Sequence, residues 1–588
     1  MTKQISMLIG IMFASFNIIA QPLILTPFEI SKGKNTATYD ECITYYKNLA
    51  EQHDEIKVFK CGPTDIGKPL HLIVIDKDKD FNRINTYKKG KRVIMINNGI
   101  HPGEPDGVDA SMMFVRDIVT KPEFHKLLDN VVIIVIPIYN IDGALNRNST
   151  SRVNQNGPES FGFRGNAANL DLNRDFIKCD SKNARSFEEI FQKWKPDFLV
   201  DTHVSDGADY QYTMTYFPTQ KDKFNPVLST WMVDKFQPQL DNKMKEKGVP
   251  MCPYVNELKT TPDSGIVGFM ESPRYCTGYA ALFDCIALCT ETHMLKPFDK
   301  RVDATYKFIV SLLEIVSQKD NEYDGKKYFA SSYPVEYYQL PINWKLDTNK
   351  FDIINFMGYE AKYKPSEVSG FPRLYYDEKA PFTKPIRYYN NYIVSDSVKV
   401  PYYYIIPQAW SKAIDLLKLN GIGLKRLSKD TIIEVSSYYI KDYETSKRPY
   451  ENHYNHYNTK VTSNTQMIQY YKGDIVIFTH TYGMRYVMET LEPTAPDSYF
   501  NWNFFDGILM QKEWYSDYVF EDIAANLLKK DKALKDSLEA AKKNDPNLAK
   551  DGEAQLAWVY HHSEYYEKTH NRYPVGRIMK EVSLPLGE

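Results

Sequence analysis

The sequence predicts an α/β domain built on a mostly parallel sheet, followed by a second, β-rich domain with a helical end. Three observations carry that expectation. Between residues 36 and 318, strand-like and helix-like segments alternate, the pattern of βαβ units. Two of the strand-like runs, 92–97 and 131–138, are β-branched with little polar alternation, as in strands covered on both faces. Beyond residue 326 this alternation gives way to Tyr-rich and β-branched runs. A length of 588 residues itself exceeds one ordinary core and calls for two or three domains.

The first twenty residues read as an export signal. Lys3 gives a positive start, residues 5–19 form an apolar run too short for a membrane span, and Ala20 precedes a cleavage point that would leave Gln21 as the mature N-terminus. Ile18 departs from the small residue preferred there. No Cys follows the run, which argues against a lipoprotein anchor, and no later stretch reaches the roughly 18 apolar residues of a span. The protein is expected to be periplasmic or extracellular, with no membrane span in the mature chain.

The elements of the first region then follow in order. Residues 38–50 have the spacing of an amphipathic helix. Ile66-Gly67-Lys68-Pro69-Leu70 punctuates two short strands at 57–61 and 71–75. Residues 109–119 have helical spacing and complete a βαβ unit between the strands at 92–97 and 131–138. A helix at 187–194 precedes a strand at 197–200, an apolar strand covers 282–290, and a long amphipathic pattern at 301–316 closes the region. The polar run Asp320–Lys327 is the expected domain boundary. In the second domain, 326–588, runs at 351–356, 402–406, 431–439 and 474–478 surround a helix at 408–419. Charged helices follow at 521–530 and 531–543, broken near Asp545-Pro546. The 44 Tyr of the chain suit half-buried strands.

Composition excludes several classes. A net charge of −2 gives neither a nucleic-acid tail nor a polybasic membrane patch. Seven cysteines (42, 61, 179, 252, 276, 285 and 289) are odd in number and sparse for a disulfide scaffold, and no CxxC pair exists to hold a structural zinc. Cys285 and Cys289, in an apolar stretch, are expected as buried thiols.

Four segments concentrate the chemistry. His101-Pro102-Gly103-Glu104 follows the apolar strand at 92–97. Asp171-Leu172-Asn173-Arg174 follows a Gly/Asn-rich loop. Asp201-Thr202-His203 and Thr290-Glu291-Thr292-His293 close apolar runs. The carboxyl ends of strands are where an open α/β sheet gathers ligand-binding residues. Two imidazoles and one carboxylate with an open position form a hydrolytic metal set. A glutamate ending so apolar a strand as 282–290 is costly to leave without a partner or a task. His453-xx-His456 and His561-His562 lack a third spaced ligand and read as surface or packing residues.

Taken in order, His101-xx-Glu104, Asp171-x-Asn173-Arg174, His203 and Glu291 resemble the zinc carboxypeptidase family of metallopeptidases. Pro137-x-x-Asn140-x-Asp142-Gly143 and the 66–70 hairpin resemble further landmarks of that family. The resemblance spans residues 36 to about 318, and the appended domain is similar to that of large bacterial secreted members. No room is expected for the inhibitory pro-domain of the digestive members. The resemblance implies an α/β sandwich with a central mixed eight-stranded sheet and one Zn²⁺ per chain held by His101, Glu104 and His203. It implies Glu291 as general base and acid, Arg164 as the group polarising the scissile carbonyl, and Asp171 as the carboxylate orienting His101. Asn173 and Arg174 would receive the substrate's terminal carboxylate. A substrate-facing tyrosine would be Tyr279 or Tyr275, with Tyr279 preferred.

Three functions fit these residues. The first is a carboxypeptidase acting on peptides with a free carboxylate. The second is an amide hydrolase acting on peptidoglycan stem peptides or acylated amino acids. The third is a non-catalytic binding protein on the same fold.

Overall fold

A computed structural model describes residues 24–319, 322–332 and 339–587. The expected export segment, residues 1–20, lies outside them. The first half contains strands β1 (Ile56–Pro63), β2 (Pro69–Ile75), β3 (Arg92–Asn97), β4 (Val131–Ile136), β5 (Phe198–Ser205), β6 (Met214–Pro218), β7 (Met251–Pro253), β8 (Ile266–Val267) and β9 (Ile286–His293). Eight of them form one sheet in the order β1-β2-β4-β3-β5-β9-β6-β7. Its centre, β4-β3-β5-β9, is parallel, while β1, β2 and β6 run antiparallel to their neighbours on one side or both. The sheet is therefore mixed, as the family resemblance implied, and less parallel than the run patterns alone suggested.

β3, β4 and β5 are buried along their whole length, which explains their unbroken apolar runs. Helices supply the cover. The helix Tyr39–Gln52 starts on a reciprocal cap, with Thr38 accepting from the Glu41 N–H and Glu41 accepting from the Thr38 N–H. It packs beside the helix Asp106–Thr120, which packs in turn on the helix Phe298–Val316. The helix Lys182–Trp194, capped by Ser181, lies against β1 and β2. Among the described residues no helix is long and apolar enough to cross a membrane. All seven cysteines are free thiols, and Cys285 and Cys289 are buried.

The second half is β-rich with helices. Strands β10 (Gln339–Leu346) and β13 (Tyr392–Lys399) pair, as do the long β11 (Asp352–Pro365) and β12 (Pro372–Tyr389). The end of β12 joins β8 in parallel, so the two halves share a sheet. A six-stranded sheet contains β14 (Tyr403–Ile406), β15 (Leu424–Arg426), β16 (Thr431–Thr445), β17 (His456–Tyr470), β18 (Ile475–Phe478) and β19 (Gly576–Ile578). The helices Asp517–Lys530, Lys532–Asn544 and Gly552–His561 enclose a small core of their own.

The polar run expected as a boundary is partly helical, from Tyr323 to Ser332. Tyr323 is buried against Phe198 and Trp231, and Asp324 takes two hydrogen bonds from the buried Arg92. One hydrophobic core continues across this point. Phe283 stacks on Tyr486 at 5.4 Å, and the Tyr279 hydroxyl donates to Asn420 at 2.6 Å. The second half is thus fastened to the first by a shared core.

Candidate metal centre

The chain leaves β3 through Asn98 and a left-handed Gly99, and a tight turn follows in which the Glu104 N–H donates to the His101 carbonyl. That turn points both side chains to one place. Gly103 permits a close approach, because a Cβ there would strike the side chain of Arg152. On β5, Asp201 and His203 share a strand face, as residues two apart do. The parallel register of β5 with β9 sets His203 beside Glu291.

Three donor atoms converge. His101 Nδ1 lies 3.3 Å from Glu104 Oε2 and 3.2 Å from His203 Nδ1, and His203 Nδ1 lies 3.2 Å from Glu104 Oε2. All three residues are buried. Each imidazole spends its other nitrogen on a carboxylate: His101 Nε2 meets Asp171 Oδ1 at 2.9 Å, and His203 Nε2 meets Asp201 Oδ2 at 3.0 Å. Those hydrogen bonds assign the Nε2 protons, so both Nδ1 atoms are left as acceptors facing a third acceptor. Three such donors facing one another need positive charge between them, from protons on the imidazoles or from a metal ion, and this donor set is one that Zn²⁺ takes. It is the one such group of three among the described residues.

Neighbours fix the carboxylate. Arg152 Nη1 donates to Glu104 Oε1 at 2.8 Å, and the Val204 N–H donates to Oε2 at 3.0 Å. Burial alone would raise the Glu104 carboxyl, but His101 and Arg152 hold it well below the usual range. Asp171 is lowered in the same way against its burial, chiefly by His101 and then by Arg164 and Arg174. Glu291 goes in the opposite direction. Its burial pushes the carboxyl up to about 8, Glu104 adds to the shift and His203 opposes it.

Asp171 organises the rest. Its Oδ2 accepts from Arg164 Nε at 3.0 Å and Nη2 at 2.8 Å, and Arg164 Nη1 reaches to 3.6 Å from Glu104. Its Oδ1 also caps the short turn Leu172–Arg174 through the Asn173 N–H. Asn173 Oδ1 accepts from the Cys276 N–H at 3.3 Å. Among the described residues Arg174 donates only to the Asn173 carbonyl, at 2.8 Å, and its guanidinium lies 4.5 Å from the Tyr275 ring centre.

Tyr279, the preferred substrate-facing tyrosine, is not at this site. It is fully buried among Phe176, Phe191 and Phe283. Tyr275 precedes the helix Cys276–Ala281 and turns toward Arg174, while Tyr279, one turn later, points into the core. His453 and His456 pack against Asp180 and Asp506, and His562 stacks on Trp558.

Sequence reasoning missed Asp201, Arg152 and Glu271. Asp201 had a signal, since strand alternation places it on the face of His203. Arg152 sits in a polar loop with no period to betray it. Glu271 hydrogen-bonds Thr277 within electrostatic reach of His203 and Arg174, and burial pushes its carboxyl up to about 7.

His203→Ala should abolish stoichiometric metal binding. Asp201→Asn should weaken it by about 10–100-fold, the usual cost of losing a carboxylate behind a ligating imidazole. Metal analysis after dialysis checks both, and full occupancy in the alanine variant refutes the ligand set.

Residues 42–206 match the family model described as zinc carboxypeptidase, a family of metallopeptidases. Carboxypeptidase 2 of Trichophyton rubrum is 28% identical over 176 residues, covering 29% of this chain and 30% of that protein. Carboxypeptidase 2 of Trichophyton equinum is 24% identical over 180 residues, 30% of each chain. The chain thus matches less than a third of the length of these curated relatives. Among solved structures, a metallo-carboxypeptidase from Pseudomonas aeruginosa aligns with 13% identity and a TM-score of 0.37, covering 48% of this chain and 69% of that one. One from Burkholderia cenocepacia aligns with 15% identity and a TM-score of 0.36, over 48% and 69%.

Proposed function

We propose that the protein is an exported zinc carboxypeptidase that hydrolyses the C-terminal peptide bond of peptides bearing a free carboxylate. The observation that carries this reading is the placement of Arg174 beside the three-donor centre. The loop that holds Asp171 against His101 also presents, three residues on, a guanidinium with most of its fork uncommitted. A planar two-donor group suits a carboxylate.

When bound, Zn²⁺ supplies a Lewis acid and lowers the pKa of its water. His101, Glu104 and His203 would hold it, with Asp171 and Asp201 keeping both imidazoles in the ligating tautomer. Glu291 would take the water's proton on its carboxylate and return it to the leaving amine. Its raised pKa belongs to the metal-free chain, and an adjacent cation favours the ionised base. Arg164, tied to Asp171 and leaning toward Glu104, would meet the negative charge developing on the carbonyl oxygen.

Arg174 selects a free carboxylate rather than a protein, so peptidoglycan stem peptides and acylated amino acids belong to the same substrate class. A mixed library of all three should yield free C-terminal residues, with release stopped by a chelator and restored by zinc. Chelator-insensitive release, or none from any class, overturns the proposal.

A further inference from the structure

The turn Tyr450–His453 belongs to the second half of the chain, yet it reaches the candidate active site. Its two ends exchange backbone hydrogen bonds, Tyr450 N–H to the His453 carbonyl at 2.7 Å and His453 N–H to the Tyr450 carbonyl at 3.0 Å. Both central residues are left-handed, Glu451 with φ 47° and Asn452 with φ 69°. A two-residue turn of this kind is built by Asn, Asp or Gly at both positions. Asn452 conforms. Glu451 does not, and its Cβ carries the steric cost of that conformation.

Strained residues persist where their surroundings over-determine them, and they gather at functional sites. What holds Glu451 is visible. Its Oε2 accepts the backbone N–H of Asp171 at 2.8 Å. Asp171 is the residue whose side chain orients His101, binds Arg164 and caps the turn leading to Arg174. The turn is anchored on both flanks. His453 Nε2 meets Asp180 at 2.7 Å. Tyr450 stacks on Trp502, and Arg274 lies over both rings while pairing with the buried Asp497. Arg274 in turn precedes Tyr275, the ring under Arg174.

We infer that Glu451 is a positioning residue of the active site, through which the second half of the chain fixes the Asp171–Arg174 loop. The β-rich half is then part of the substrate site rather than an appendage. A glutamate is kept at a position suited to glycine because its carboxylate spans the gap to the Asp171 N–H. The inference rests on the carboxypeptidase reading for its substrate but not for its metal readout.

Three full-length variants test it. Glu451→Gln keeps an acceptor oxygen, Glu451→Ala removes it, and Glu451→Gly removes it while relieving the turn. The alanine and glycine variants should raise KM for free-carboxylate peptides about tenfold, with kcat less affected, and speed zinc loss to a chelator several-fold. The glycine variant should unfold at a temperature no lower than the wild type. The glutamine variant should stay within about twofold of wild type in KM, kcat and the rate of zinc loss, since the hydrogen bond is kept. A purely structural role predicts the opposite split, with stability and activity falling together in the glycine variant. That result overturns the inference, as do wild-type KM and zinc retention in the alanine variant. If the wild type cleaves no peptide, the carboxypeptidase reading fails while the zinc-loss comparison still decides the role of Glu451.

Discussion

Glu291→Gln leaves the metal bound and the chain folded while turnover falls by about 10²–10⁴-fold, the range expected for general acid–base assistance. The amide has nearly the shape of the carboxylate, and the side chain is not among the three converging donors. What it loses is the capacity to accept a proton. The metal-free chain should also tolerate the change, because burial and Glu104 both oppose ionisation at this position. Unfolding midpoints of the metal-free chain should therefore be equal to or above wild type at pH 8, where the native carboxyl is about half ionised and the cost of its raised pKa, which builds from the unfolded value upward, is nearly complete. Zinc content, unfolding midpoint and single-turnover rate, measured on one preparation, separate these effects. Activity near wild type would shift the role of base to Glu271, the other half-buried carboxyl within reach of His203.

What the sequence disclosed followed physical regularity. The strands β3, β4, β5 and β9 announced themselves because burial on both faces demands unbroken apolar runs, and the sheet then gathered His101, His203 and Glu291 from strand ends. β17 went unseen because most of its side chains are exposed, so no hydrophobic period marks it. Tyr279 was misplaced because helix phase decides between it and Tyr275, and sequence spacing does not show where the helix begins. Asp201 was within reach, two residues from His203 on one strand face. Glu451 was not, since it meets Asp171 across 280 residues through a turn whose chemistry argues for a different residue.

Arg174→Ala separates an exopeptidase from a general amide hydrolase. The side chain is anchored by the Asn173 carbonyl and lies over the Tyr275 ring, so its fork is held in place before substrate arrives. A docked C-terminal carboxylate would fix the scissile bond one residue inward, over the donor centre. Removing one partner of a buried hydrogen-bonded charge pair costs about 2–5 kcal/mol. Because Arg174 retains 23% side-chain exposure, the loss should fall toward the lower end, about 2 kcal/mol or some thirtyfold in kcat/KM. Peptides with an amidated C-terminus should lose a similar amount against the wild type. The two losses should overlap rather than add, since both delete the same contact. Arg174→Lys should recover only part of the loss, because an ammonium restores the charge without the planar fork. Rates on free and amidated peptides with both enzymes complete the cycle. Equal cleavage of the two peptides by the wild type would reject the carboxypeptidase and leave an endopeptidase or deacylase acting through the same Glu291.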